Sequence, residues 1–300
     1  MSEIVTHPAG EAATTTTGSR RPWGPWRQQL AAIVRLELRK GYLGGRSLWL
    51  YLLALAPLVI LGGRVVISQY EEVVDPTNLS DSHLFFALIY RVFTLRFVIM
   101  LGCLAIFGNL IRREMLDRSL HYYFLSPVRR ELLIAGKYLT GLIVSVAVFG
   151  LATVIGFILA YLPHASGPVQ SFFFRGPGFG HLAAYLLVTT LACIGYGAVF
   201  LAFGSFVKSP AIPAFVMFTW EGILFLLPPL LKKISVLHYL QALCPVPIPE
   251  APLALLADPP SPWVAIPGLV IVSGAMLALS AWKIRKMEIS YEKALILLVT

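Results

Sequence analysis

Three ionisable side chains sit where an apolar chain least tolerates them. Glu221 interrupts FTWEGILFLL, and Arg91 and Arg96 interrupt LIYRVFTLRFVIM. An ionised group at the centre of a bilayer costs roughly 2.5–3.5 kcal/mol even on lenient insertion scales, so each must be neutral, paired or turned to a cavity. Arg96 falls at a depth similar to Glu221, with Arg91 about one and a half turns nearer the outer face. The expectation is an intramembrane Glu221–Arg96 pair, with Arg91 beside it, that either fixes helix packing or lines a pathway. On that reading, reversing both charges restores what either reversal loses.

A second concentration of charge is RREMLDRSLHYYFLSPVRRELLIAGK, residues 112–137. Leu116, Leu120, Tyr123 and Phe124 recur at helical spacing, while Glu114, Asp117, Arg118 and His121 recur on the opposite side. Two opposed faces predict an amphipathic helix over 113–125, lying in the interface plane. Glu114 and Arg118 form a favourable i,i+4 pair worth about 0.3 kcal/mol. Pro127 ends that helix, and Ser126 as cap with Pro127 at the first helical position starts another that runs through Arg129 and Arg130. Periodicity by itself also suits any basic cytoplasmic loop.

The elements that position these groups follow from composition. Of 300 residues 57% are hydrophobic and 13% charged, and the mean hydropathy is +0.77. That excludes a soluble globule. Six apolar runs are long enough to cross a hydrocarbon core, at residues 47–68, 84–110, 138–162, 181–207, 211–231 and 263–282. None alternates with period two, which excludes a membrane barrel. The fold class is therefore all-α, a polytopic membrane protein. With both termini inside, 18 of the 24 Lys and Arg residues fall on the cytoplasmic side, and only Arg64, Arg175, Lys232 and Lys233 outside. The net charge of +9 then reflects insertion and anionic lipid, not a nucleic-acid partner.

Around this domain of residues 47–282 the chain divides simply. Residues 1–21 read as a disordered cytoplasmic tail and not a signal peptide, having no early apolar stretch. In residues 22–46, Trp26, Leu30, Ile33 and Val34 form an apolar stripe with Arg27, Gln28, Arg35 and Arg39 largely off it. Residues 232–262 are proline-rich and too short in their apolar pieces to cross, so they dip into or lie on the outer leaflet. Residues 283–300 form a cytoplasmic tail. Glycines 141, 150, 156, 195, 197 and 204 allow close helix approach. Three scattered cysteines give neither a disulfide framework nor metal spacing.

The phosphate loop of an ATPase is absent, since Gly136-Lys137 is followed by tyrosine and lacks its upstream glycine. No H-E-x-x-H and no paired intramembrane aspartates occur, which argues against an intramembrane enzyme. His83, His121, His164, His181 and His238 fall near interfaces or in loops, where a lone histidine is usually solvated. An ion-coupled secondary transporter would show internal repeats and a relay of ionisable groups; no repeat is visible and Glu221, Arg91 and Arg96 are too few.

The order Arg113-Glu114, Ser119-Leu120, Pro127-Val128, Arg130 and Gly136-Lys137 resembles the signature of ABC-2 type permeases, the membrane subunits of a class of ATP-binding-cassette exporters. Arg118 stands where that family usually has glycine, and Tyr122, Tyr123 and Phe124 replace a mostly aliphatic stretch. The resemblance implies six spanning helices preceded by an elbow helix at 22–46, short outer helices capping the exit within 232–262, and a coupling helix that docks on a separate ATPase subunit. Glu114, Asp117, Arg118, His121, Pro127 and Arg130 would form that docking surface. It further implies a second permease copy, ATP and magnesium bound by the partner and not by this chain, and residence in the inner or plasma membrane. Few charges in the spans favour an amphipathic or lipid-like cargo. An ion-coupled secondary transporter and a non-transporting anchor or assembly factor built on the same fold are the competing expectations, and ATPase stimulation by substrate would separate the exporter from the anchor.

Overall fold

The computed structural model describes residues 28, 30–36, 38, 48–70, 78–116, 130–207, 211–222, 235–246 and 261–285. Among these residues every regular element is a helix. In order they are α1 (Leu48–Ile67), α2 (Ser80–Leu88), a π-helical stretch (Ile89–Ile99), α3 (Met100–Leu116), α4 (Arg130–Tyr161), α5 (Ser166–Phe174), α6 (Gly178–Phe206), α7 (Ala211–Gly222), α8 (Val236–Ala242) and α9 (Pro262–Arg285).

Among the described residues five helical stretches are long and apolar enough to cross a membrane: Leu48–Ile67, Ser80–Gly108, Ile134–Tyr161, Gly178–Phe206 and Pro262–Lys283. In lipid each backbone group must be satisfied within its own segment, which is why these runs can only be helices. Their limits fall within a few residues of the expected first, second, third, fourth and sixth spans. The expected fifth is not among them. α7 has 12 residues, about 18 Å of helix, against a core of about 30 Å. Residues 223–234, which the expected span also needs, lie outside the described residues.

The fourth crossing, α6, is the hub. Its most apolar window is 72% buried, against 22% for the first and last crossings. Leu48, Trp49, Leu52, Leu55 and Val59 of α1 and Trp263, Val270 and Ile271 of α9 stay exposed, as suits lipid-facing helices. Because lipid is as apolar as leucine, contacts between the helices rest on close packing and on internal hydrogen bonds. Phe107 of α3 fills two notches at once: a Cβ on Gly141 would lie 2.6 Å from its ring, and one on Gly197 would lie 2.7 Å from it. At Gly204 the α6 backbone closes on the Gly108 carbonyl, 3.2 Å from an added Cβ. Gly150 meets only ordinary contact, with Leu186 at 3.8 Å.

Polar stitches run through the same core. The buried Tyr90 hydroxyl donates to the Tyr185 carbonyl at 3.0 Å and bonds Thr189 Oγ1 at 2.8 Å. Thr153 Oγ1 reaches Thr189 Oγ1 at 3.2 Å, so α4, α6 and the π-helical stretch share one hydroxyl chain.

The amino-terminal segment is helical at residues 28, 30–36 and 38. Leu30, Ile33, Val34 and Leu38 are half-buried, while Gln28 and Arg35 are exposed. The buried side leans on α4, where a Cβ on Gly136 would come within 2.8 Å of Ile33. Trp26, Arg27, Glu37 and Arg39 lie outside the described residues, as do both terminal tails as far as residues 27 and 286. α5, written SGPVQSFFF, is a short helix the sequence reading did not anticipate.

Candidate functional site

The intramembrane ionisable groups converge where the π-helical stretch meets α6, α7 and α8. Arg96 Nη2 donates to the backbone carbonyl of Glu221 at 2.8 Å. The two residues expected to pair are thus in contact, but the acceptor is the main chain and not the carboxylate. α7 is described as far as Gly222, so Glu221 stands next to the last residue described in it. The guanidinium is thereby tied to the α7 backbone by a charge-assisted hydrogen bond.

The carboxylate has its own partner. Glu221 is 1% exposed, and Ser235 Oγ donates to its Oε2 at 2.9 Å. Ser235 is also the N-cap of α8, its oxygen accepting from the His238 amide at 3.4 Å. One hydroxyl therefore ties α7 to the start of α8 while closing an orphan N–H of that helix. Oε1 and the Tyr196 hydroxyl of α6, both buried, have no hydrogen-bond partner among the described residues.

The π-helical geometry decides where the arginines point. An ordinary helix turns about 100° per residue, so positions five apart differ by about 140°. A π-helical ladder joins residue i to i+5, and Arg91 and Arg96 are separated by that interval. They therefore recur on nearly one side of the stretch, Arg96 against Glu221 and Arg91 near Cys244, just past α8. Burial pushes the Cys244 thiol up to about 11, with the Arg91 charge acting the other way. Its Sγ donates to the Leu240 carbonyl at 3.6 Å. Cys244 is accordingly a protonated thiol at neutral pH, unsuited to nucleophilic work. Cys103 and Cys193 are buried.

The other expected site residues are divided by the limits of description. Glu114 stands in the last turn of α3, which runs unbroken from the membrane crossing as far as Leu116, and Arg130 is the first residue of α4. Asp117, Arg118, His121 and Pro127, with most of the expected coupling helix, lie outside the described residues.

Two groupings escaped the sequence reading. Ser235 carried a signal, a serine directly before the apolar run VLHYL, which marks a helix N-cap. The histidines carried none, because residues 83, 164 and 181 are far apart in the chain. They meet at the bundle end opposite Leu116 and Arg130. His83 Nδ1 and the Tyr161 hydroxyl share a hydrogen bond of 2.6 Å. His164 is 8% exposed, not solvated, with Nε2 at 3.3 Å from both Ser82 Oγ and the Asn78 carbonyl. No family model and no curated protein matches the chain.

Proposed function

We infer that this protein is the transmembrane permease subunit of an ABC-2 type exporter, driven by ATP hydrolysis on a separate nucleotide-binding subunit. The observation that carries the reading is the Arg113-Glu114 to Gly136-Lys137 signature. Its position supports it: α3 ends and α4 begins on either side of residues 117–129, so two long helices lead from the membrane into the charged segment. Glu114, Asp117, Arg118, His121, Pro127 and Arg130 form the ATPase-docking surface. A push there travels up α3 into the π-helical stretch and the Arg96–Glu221 contact, and up α4 into the hydroxyl chain of Thr153 and Thr189.

Two copies side by side would enclose the pathway, with two ATPase subunits binding ATP and magnesium below. On this reading residues 28–38 belong to the elbow helix, residues 211–231 complete a sixth crossing, and both termini are cytoplasmic in the plasma membrane. The exposed apolar faces and scarce charge suit an amphipathic or lipid-like cargo.

The test is co-purification from the native cell in mild detergent, followed by mass spectrometry. Recovery of an ATPase subunit, lost on combined charge reversal at Glu114, Asp117 and Arg118 while the permease itself stays folded, is the expected result. A stable protein that never retains an ATPase would overturn the exporter reading and favour a membrane anchor.

A further inference from the structure

The histidine grouping offers chemistry that neither the exporter reading nor the Glu221 site uses. His83 comes from α2 and His181 from the first turn of α6, two helices joined by no short loop. Their ring centroids lie 6.2 Å apart with planes at 84°. Both are half-buried, so solvent reaches them at the bundle end. Phe172 of α5 packs against both rings, at 4.5 Å from His83 and 5.9 Å from His181, and walls one side.

We propose that His83 and His181 form a two-imidazole binding site for a borderline divalent transition ion, of the chemistry of Zn2+ or Cu2+. Imidazole nitrogen is the natural donor for these ions. With metal–nitrogen bonds of about 2.0–2.1 Å, two imidazoles on one tetrahedral ion place their centroids roughly 5 Å apart. The observed 6.2 Å is reached from there by small side-chain rotations. Among the described residues no group of three or more His, Cys, Asp or Glu side chains is placed to hold a metal. Water therefore completes the coordination, and binding is exchangeable and not structural.

The orienting contact is already in place. A metal-bound imidazole donates its other N–H to an oxygen that fixes tautomer and ring direction. The Tyr161 hydroxyl lies 2.6 Å from His83 Nδ1. When Nδ1–H donates to Tyr161, the lone pair of Nε2 is left for the ion. Tyr161 is a positioning residue, held between Phe157, Phe172 and Phe173. An ion bound here would clamp the start of α2 to the start of α6 at the end of the bundle remote from the charged segment. The inference does not depend on the exporter reading, because it concerns metal binding by the chain alone.

The experiment is titration of the untagged full-length protein in detergent with Cu2+, followed by electron paramagnetic resonance, with Zn2+ competition read in the same samples. The expected result is one site whose spectrum carries nitrogen coupling from imidazole. His181→Gln and His83→Gln should each weaken it at least tenfold, and Tyr161→Phe should weaken it about tenfold through lost orientation. His238→Gln, altering a histidine on a different element, should leave it unchanged. Monodispersity by size exclusion certifies the fold of each variant, and His181, which lacks the Tyr161 bond that His83 makes, is the safer of the two. A spectrum without imidazole coupling, or equal affinity in wild type and folded His181→Gln, would overturn the proposal.

Discussion

At the scale of single residues, the Arg96 contact shows how a correct choice of partners can hide the wrong pair of atoms. The depth and chemistry of Arg96 and Glu221 are legible in the sequence, since few charges occur in the spans. The acceptor is not, because a backbone carbonyl has no letter of its own. The distinction has a consequence for charge exchange. A combined Arg96→Glu, Glu221→Arg swap sets a carboxylate against a carbonyl and leaves Ser235 facing a guanidinium, so it should not restore the folded yield lost in the single reversals. Restoration to near wild-type expression would mean that the carboxylate is the true partner. Ser235→Ala, which removes the Glu221 donor and the α8 cap together, should lower stability by about 1–3 kcal/mol. Thermal unfolding in detergent checks it, with Glu221→Gln expected to fold, since an amide oxygen still accepts from Ser235.

Individual helices were read well where composition alone decides them. The first crossing, expected at 47–68, is Leu48–Ile67, and the last, expected at 263–282, is Pro262–Lys283. The second crossing starts at Ser80 and its helix continues to Leu116, and near its start Ser82 Oγ lies 3.3 Å from His164 Nε2 inside the bundle. Hydropathy sees lipid exposure but not tertiary partners. The widened ladder at Ile89–Ile99 was invisible for a related reason: hydrogen-bond register leaves no compositional trace. The glycines were legible as small, but which of them mattered was not; Gly197 meets Phe107 closely while Gly150 meets little. Gly197→Leu should therefore destabilise by about 1–3 kcal/mol through overpacking, whereas Gly150→Ala, whose Cβ meets only ordinary contact, should be nearly neutral. Adding Phe107→Leu to Gly197→Leu should recover part of the loss, and thermal unfolding of the three variants decides whether Phe107 is the obstacle.

For the whole molecule the open arithmetic is one of parity. Five crossings put the two ends of the chain on opposite sides of a membrane, and six put them on the same side. α7 covers about 18 Å, so the sixth crossing depends on residues 223–231 carrying the chain through. The uneven distribution of Lys and Arg favours six, since an odd number would move the basic carboxy-terminal segment, with Lys283, Arg285, Lys286 and Lys293, to the outside. Reporter fusions at residues 209, 247 and 300 test this: the first and third should report the cytoplasm and the second the exterior. A third fusion active outside would leave α7 as a half-helix and end the six-span topology. The membrane character was legible from 57% hydrophobic residues; the burial of α6 beneath all the rest was not, as its composition is no more apolar than that of its neighbours.

The wide ladder of Ile89–Ile99 finally bears on which genetic changes this chain can accept. Side chains along it can be exchanged one for another while the register stands. Removing or adding a single residue between Arg91 and Arg96 breaks the five-residue interval and turns one guanidinium away from the face it shares with the other. Relatives of this protein should therefore vary in spelling across that stretch far more freely than in length.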